Sequence, residues 1–309
     1  MRDNRPAERG MIFDVERFST ADGPGIRTVV FFKGCNFHCF WCHNPESIRP
    51  YPELELDEGR CIGCGMCVEI CPRRAHRISP EHTIDRKACV RCFQCARVCP
   101  PGALKQVGKV MDVDEVMGEV REDAVFYRRS GGGVTLSGGE VLLQPYFAAG
   151  ILRRCRQEGI STAIESNLSL PRQELEKLLP YLDLVMADIK HMDRGRHRDG
   201  TGEDNRQTLD NLLWLNREWD IPMVVRTPVI PGYNDTQENM EETASFLAGL
   251  DRLMYYELLS YNPMGSSKRR QLGMGEQNIP VPGREHMDQL AAAARRHLDT
   301  VWVDGVAIN

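Results

Sequence analysis

The sequence predicts an α/β fold, an incomplete (βα)6 barrel interrupted once by a small cysteine-rich insertion. Short apolar runs of strand length alternate with longer stretches of helical period, which is the pattern of parallel βα units. Six such runs lie at residues 28–33, 134–137, 162–165, 184–189, 223–229 and 255–260. All the cysteines except Cys155 fall between Cys35 and Cys99, in short metal-ligand spacings.

Composition narrows the function classes. A chain of 309 residues, 41% hydrophobic and 27% charged, can bury a full core as one large domain or two unequal ones. Net charge is -5 and no long basic run occurs, so nucleic-acid binding is not indicated. No apolar stretch approaches the ~18 residues of a membrane span, and the opening MRDNRPAERG lacks the apolar centre of a secretion signal. With no export signal, the cysteines read as reduced metal ligands rather than disulfides, and the expected location is cytoplasmic. Clusters with exposed iron oxidise easily, so an anaerobic cell is expected.

In chain order, residues 11–27 read as an entry segment ending in the tight turn GPGIR, followed by the first strand. Directly after it comes GCNFHCFWCHNPES, with Cys35, Cys39 and Cys42 in a C-x3-C-x2-C spacing. A [4Fe-4S] cluster normally takes four cysteines. Three would leave one iron open to a ligand that is not protein. The residues alone also admit a zinc knuckle recruiting His38 or His43, or a buried thiol group.

Residues 52–108 form the insertion. Cys61, Cys64, Cys67 and Cys71 stand in C-x2-C-x2-C-x3-C-P, and Cys89, Cys92, Cys95 and Cys99 repeat it. This is the bacterial two-cluster ferredoxin signature, in which the fourth cysteine of each run serves the other cluster. The expected sets are therefore Cys61, Cys64, Cys67, Cys99 and Cys89, Cys92, Cys95, Cys71. Zinc would hold such a segment together but supplies no redox step.

Asp112 and Glu115 have the form of a capping box opening a helix to about Val125. Val134–Ser137 reads as a buried strand, and Gly138-Gly139 at its end lets backbone amides approach a ligand. No Gly-Lys-Ser/Thr follows, which excludes a nucleotide P-loop. Further helices are expected near 144–158, 171–180, 205–218 and 236–249, then a long loop at 263–282 and a final helix near 284–298. Cys155, Trp214, Trp219 and Trp302 read as core. In such folds the site gathers at the carboxyl ends of the strands. Glu165-Ser166-Asn167, Asp188-Ile189-Lys190, Arg226 and Tyr261-Asn262 fall there.

The three-cysteine loop resembles that of the radical S-adenosylmethionine (SAM) superfamily. Trp41-Cys42-His43-Asn44-Pro45 after GPGIRTVVFFKGC is similar specifically to the activating enzymes of glycyl radical enzymes, and the resemblance spans nearly the whole chain. It implies a partial barrel at residues 1–51 and 109–309, with a ferredoxin-like domain at 52–108. It also implies three [4Fe-4S] clusters, one of which binds SAM. Ser137-Gly138-Gly139-Glu140 would hold the SAM amino group, although Val141 stands where the family usually has proline. Lys190 and Arg226 would meet the carboxylate, with Asp188 helping to hold a monovalent cation and Trp41 packing near adenine. His43, Ser166, Ile189, His191 and Met192 are implied as neighbours. Asn262 stands where well-known members have histidine, and its amide still donates.

The resemblance further implies reductive cleavage of SAM, giving a 5'-deoxyadenosyl radical that takes a hydrogen atom from a backbone glycine of a partner glycyl radical enzyme. A flavodoxin or ferredoxin-type reductant would supply the electron. His197, Gly200, Thr201, Gly202 and Asn205 also look familial but carry no assigned chemistry. Two other readings stand beside this one: a radical SAM enzyme acting on a small molecule or another peptide, and a non-enzymatic iron-sulfur electron carrier. The carrier would leave the three-cysteine loop and about 200 residues without a task.

Overall fold

A computed structural model describes residues 9–308. Strands β1 (Arg9–Ser19) and β2 (Arg27–Phe32) run antiparallel. The chain then leaves the main sheet to form β3 (Glu53–Leu56), β4 (His76–Arg77), β5 (Thr83–Ile84) and β6 (Leu104–Val107). Here β3 pairs with β6 and β4 with β5, both antiparallel. β7 (Lys109–Asp112) returns beside β1. There follow β8 (Gly133–Gly138), β9 (Ser161–Ser166), β10 (Leu184–Asp188), β11 (Met223–Val229), β12 (Leu253–Ser260), β13 (Val301–Val303) and β14 (Val306–Ile308).

The main sheet has the order β14-β13-β12-β11-β10-β9-β8-β2-β1-β7. The six apolar runs are its centre: β2 and β8 to β12 lie side by side in chain order, every pair parallel. Both faces of these strands are covered, which is why they read as continuous apolar runs rather than alternating ones. One face joins Val30, Leu136, Ile164, Val185 and Val225 to the helices in a single large core. The other carries a smaller cluster of Ala163, Leu184, Met186 and Val224.

The helices Pro145–Gln157, Arg206–Glu218, Gln237–Leu247 and Arg284–Ala294 occupy the expected crossovers. The capping box is present: Glu115 N donates to Asp112 Oδ1 (2.9 Å) and Asp112 N to Glu115 Oε2 (2.7 Å). That helix, Val113–Glu122, stops at Asp123, and a second, Ala124–Ser130, follows.

The structure departs from the sequence reading in several places. Residues 9–19 form a strand rather than an irregular entry segment. Only Arg172–Glu176 of the 171–180 stretch is α-helical, and a 3-10 turn, Leu179–Tyr181, completes it around Pro180, whose missing N–H cannot extend a helix. β10 ends at Asp188, leaving Ile189 beyond it. Within 263–282 lies a helix, Met264–Gln271, whose one buried residue is Gly265. Trp214 and Trp219 are half-buried against the core rather than inside it, and Trp302 is half-buried and stacked on Tyr255.

The segment bracketed by β3 and β6 has its own apolar cluster of Leu54, Leu56, Cys67, Cys95 and Leu104. It is tied to the main sheet by the buried pair Lys33 Nζ to Glu53 Oε2 (2.9 Å), to which Arg49 adds a second contact at 2.7 Å. Arg86 adds a tie by donating to the carbonyl of Gln271 (2.8 Å).

Candidate active site

A cavity of about 610 Å³ lies at the carboxyl ends of the parallel strands, within the range of small-molecule sites. Its floor is the three-cysteine loop. Backbone bonds fix that loop from several directions. Gly34 N donates to Ser47 O (2.6 Å), Cys35 N to Ile48 O (2.9 Å), His38 N to Thr201 O (2.7 Å) and Phe40 N to Gly200 O (3.3 Å). The diglycine at the end of β8 allows close approach. A β-carbon on Gly139 would lie 2.1 Å from Gly34 O, and Gly138 has φ +112°. Glu140 N in turn donates to Gly34 O (2.8 Å).

All three thiols, of Cys35, Cys39 and Cys42, border the cavity, and all twelve cysteines of the chain are free. Burial pushes the three thiols up, Cys39 to about 12 despite the opposing Lys190 charge. Such thiols lose their protons when a metal takes them, so this donor set fits a cluster.

The cavity wall also gathers Trp41, His43, Ser137, Gly138, Gly139, Ser166, Asp188, Lys190, Arg226 and Asn262. Lys190 Nζ pairs with Asp188 (2.8 Å). Burial pulls its amine down, but the Asp188 carboxylate outweighs that and holds it charged. Arg226 is clamped by Glu165 and by Glu257 (Nε to Oε2 2.9 Å), and it donates to Ala21 O (2.8 Å). Burial raises the Glu165 carboxyl against the Arg226 charge, and Ser137 donates to its other oxygen. Asn262 Oδ1 accepts from Met264 N (3.0 Å).

Four expected residues lie outside the wall. Glu140 is fully buried, and its carboxylate accepts from Leu142 N (3.0 Å), Ser166 Oγ (2.7 Å) and Asn167 N (2.9 Å). It ties the β8 loop to the β9 loop. Ile189 packs into the core. His191 stacks edge-on to Tyr233, and Met192 N donates to Asn239 Oδ1 (3.0 Å). Ser166 borders the cavity while its hydroxyl is committed to Glu140.

The sequence reading missed one wall. Phe13, Asp14, Glu16, Ala21 and Asp22 line the cavity from β1 and the loop after it, and Met264 and Lys268 line it from the helix Met264–Gln271. Exposed Asp14, Glu16, His43, Asn262 and Met264 mark the open side. The signal for this wall was the alternation of apolar and polar residues in RGMIFDVERFS.

Between β3 and β6, Cys61, Cys64, Cys67 and Cys99 line one small apolar cavity. Cys95 is raised to about 11 by burial and then by its neighbours Cys89, Cys71 and Cys92. The fourth cysteine of each run thus sits with the first three of the other, an arrangement that fits two four-cysteine clusters.

Three family models match. The radical SAM superfamily model covers residues 86–247, a 4Fe-4S dicluster domain 60–106, and a 4Fe-4S single cluster domain 21–71, which contains the three-cysteine loop. The chain belongs to the radical SAM superfamily. Within it, the chain groups with the activating enzymes of glycyl radical enzymes. It is 41% identical to the (2S)-3-sulfopropanediol dehydratase activating enzyme of Klebsiella oxytoca, over 91% of this chain and 93% of that one. It is 40% identical to the indoleacetate decarboxylase activating enzyme of Tractidigestivibacter scatoligenes, over 94% and 95%. Among solved structures, a radical SAM methyltransferase from Sphaerobacter thermophilus is similar in fold, with a TM-score of 0.55, 14% identity, and coverage of 90% of this chain and 66% of that one.

Proposed function

We propose that this activating enzyme binds a [4Fe-4S] cluster through Cys35, Cys39 and Cys42 and uses it to generate a glycyl radical in a partner enzyme. The observation that carries the reading is the convergence of three buried thiols, a paired lysine, a clamped arginine and a diglycine edge on one open cavity. A cluster held by these three thiolates would, once reduced, supply the one electron needed to cleave bound SAM to methionine and a 5'-deoxyadenosyl radical.

The chain's own residues bind and orient. The backbone carbonyl oxygens at Gly138-Gly139 and the carboxylate of Glu165 would accept from the amino group. Lys190 and the Asn262 amide meet the carboxylate, and Trp41 with Ile230 and Tyr261 offers an apolar wall for adenine. Glu140 shapes this cradle from behind through Ser166 and Asn167. Asp188, which pairs with Lys190 at the cavity wall, is the place for a monovalent cation. The mouth bordered by Asp14, Glu16 and Met264 admits the partner's glycine loop, which an incomplete (βα)6 barrel leaves room for.

Residues 52–108 form the inserted ferredoxin-like domain with two further clusters, and residues 1–51 with 109–309 form the partial barrel. Two ties favour a route for electrons through the set Cys89, Cys92, Cys95 and Cys71. Arg86, three residues before Cys89, bonds the helix that covers Cys42. Arg91, beside Cys92, lies 4.0 Å over the ring of Tyr51, just past the three-cysteine loop. A flavodoxin or ferredoxin-type carrier is the external reductant. Anaerobic reconstitution followed by reduction with SAM tests the whole reading. About twelve irons, 5'-deoxyadenosine, and a glycyl radical signal in a co-incubated partner are expected. Reduction without 5'-deoxyadenosine would leave only an electron carrier.

A further inference from the structure

The two cysteine runs of the insertion are identical in spacing, yet their surroundings differ. His82, from the segment between the runs, is buried at the first set: its Nδ1 lies 3.3 Å from Cys61 Sγ and its Nε2 3.7 Å from Cys67 Sγ. Behind it, His76 Nδ1 lies 3.0 Å from His82 Nε2. At the second set, Cys71 Sγ accepts from the backbone N of Ala75 (3.3 Å), and among the described residues no side chain donates to Cys71, Cys89, Cys92 or Cys95.

Hydrogen-bond roles follow from the chemistry of the partners. Both imidazoles are buried, and each ring is in contact with the other. A neutral ring has one N–H and one acceptor nitrogen. A thiolate on iron only accepts, so the proton of His82 belongs on Nδ1, facing Cys61. Its Nε2 is then the acceptor for His76 Nδ1–H. In this tautomer Cys67 meets a lone pair and receives no bond. His76 thereby fixes the ring orientation of His82, as outer partners do for metal-site histidines.

We propose that His82, positioned by His76, donates a hydrogen bond to the Cys61 thiolate and sets the cluster of Cys61, Cys64, Cys67 and Cys99 at a higher reduction potential than its twin. Hydrogen bonds to cluster sulfurs stabilise the added negative charge of the reduced state and so raise the potential. The two accessory clusters are then inequivalent, and the first is reduced first. This rests on the two-cluster reading of the insertion.

The test is an anaerobic redox titration followed by electron paramagnetic resonance, in a Cys35→Ala, Cys39→Ala, Cys42→Ala background that leaves only the accessory clusters. About eight irons and two separable one-electron midpoints are expected. Substitution His82→Leu should move the higher midpoint down towards the lower one, which stays in place. His76→Leu should move it the same way by less, and His82→Gln, which keeps an N–H donor, should recover part of the shift. An iron content near zero in the background protein would overturn the two-cluster reading itself. Eight irons with the midpoint unmoved in His82→Leu would overturn the hydrogen bond, as would a His82→Gln midpoint no higher than that of His82→Leu.

Discussion

A β-carbon on Gly265 would lie 2.4 Å from the carbonyl oxygen of Cys42, so the helix Met264–Gln271 rests directly on the loop that carries the third cysteine. The neighbour is backbone and cannot rotate away. Lys268, one turn on, completes the contact by donating to Asn44 Oδ1 (2.9 Å) and pairing with Glu46 (2.7 Å). A Gly265→Val substitution must lift the helix or shift the loop. Iron content should fall from about twelve towards about eight, with a loss of roughly tenfold or more in 5'-deoxyadenosine, as expected when overpacking displaces a site by an ångström. Full loading and normal yield would show that the helix is dispensable.

On the proposed reading, removing one thiol of the loop separates the radical chemistry from the two further clusters. Cys39→Ala should abolish 5'-deoxyadenosine formation while about eight irons and the ferredoxin-type signals remain. Undiminished cleavage in this variant would exclude the ligand assignment.

Much of the main sheet was legible because its central strands are covered on both faces, and buried parallel strands leave unbroken apolar runs such as Thr28–Phe32 and Leu184–Ala187. β1 was not, because Phe13 and Glu16 alternate with core residues such as Ile12, and a half-exposed strand of mixed character looks like an irregular lead-in. The helix Met264–Gln271 was illegible for a different reason: it has no apolar face, and Gly265 and Lys268 hold it in place through backbone contact and charge. The site followed the same division. Cysteine spacing and the short polar segments after the strands marked the floor and one wall, whereas Glu140 faces inward and only tertiary contacts reveal that. The pairing of His82 with Cys61 joins residues whose proximity no spacing rule encodes.

Lys190 is held charged at the cavity by Asp188. On the proposed assignment it meets the SAM carboxylate, a charge-assisted contact worth ~1.5–3 kcal/mol. Lys190→Ala should raise the SAM dissociation constant by roughly one to two orders of magnitude, measured by equilibrium dialysis on cluster-loaded protein. Lys190→Arg should recover part of it. Unchanged affinity in the alanine variant would remove Lys190 from the site.

Acid sensitivity should reach the three-cysteine loop through Asp204. Its carboxylate accepts from Arg194 (2.6 Å), Arg198 (3.1 Å) and the backbone N of Arg206 (3.0 Å), and these bonds lower it from 3.8 to about 2, the Arg194 bond most. They anchor the helix Arg194–Thr201, whose last carbonyls hold His38 and Phe40. Because the folded value lies below the unfolded one, the stabilisation is complete above 3.8 and is lost as pH falls through about 2. Asp204→Asn should therefore lower the denaturant midpoint of the metal-free chain at neutral pH, and the gap to the parent should close as pH falls across that window. A gap that persists at the acid end would assign the effect to packing instead.

Arg86 provides the last test, of how the segment between β3 and β6 is seated. Its guanidinium donates to Leu54 O on β3 and to Gln271 O on the helix over Cys42, so one side chain ties that segment to the helix. Burial lowers its pKa, and the nearby Cys89 side chain opposes that. Arg86→Met keeps the apolar stem and removes both donors. Each lost bond leaves a carbonyl short of a partner, at about 1–3 kcal/mol apiece, which loosens the docking while the cysteines themselves stay intact. All three clusters should still load, at about twelve irons, and pre-steady-state reduction of the accessory clusters should proceed at the parent rate. The subsequent appearance of 5'-deoxyadenosine should slow by roughly tenfold, as expected when a relay is displaced by about an ångström. Equal rates in parent and variant would mean that electrons reach Cys35, Cys39 and Cys42 by a path that does not depend on this contact.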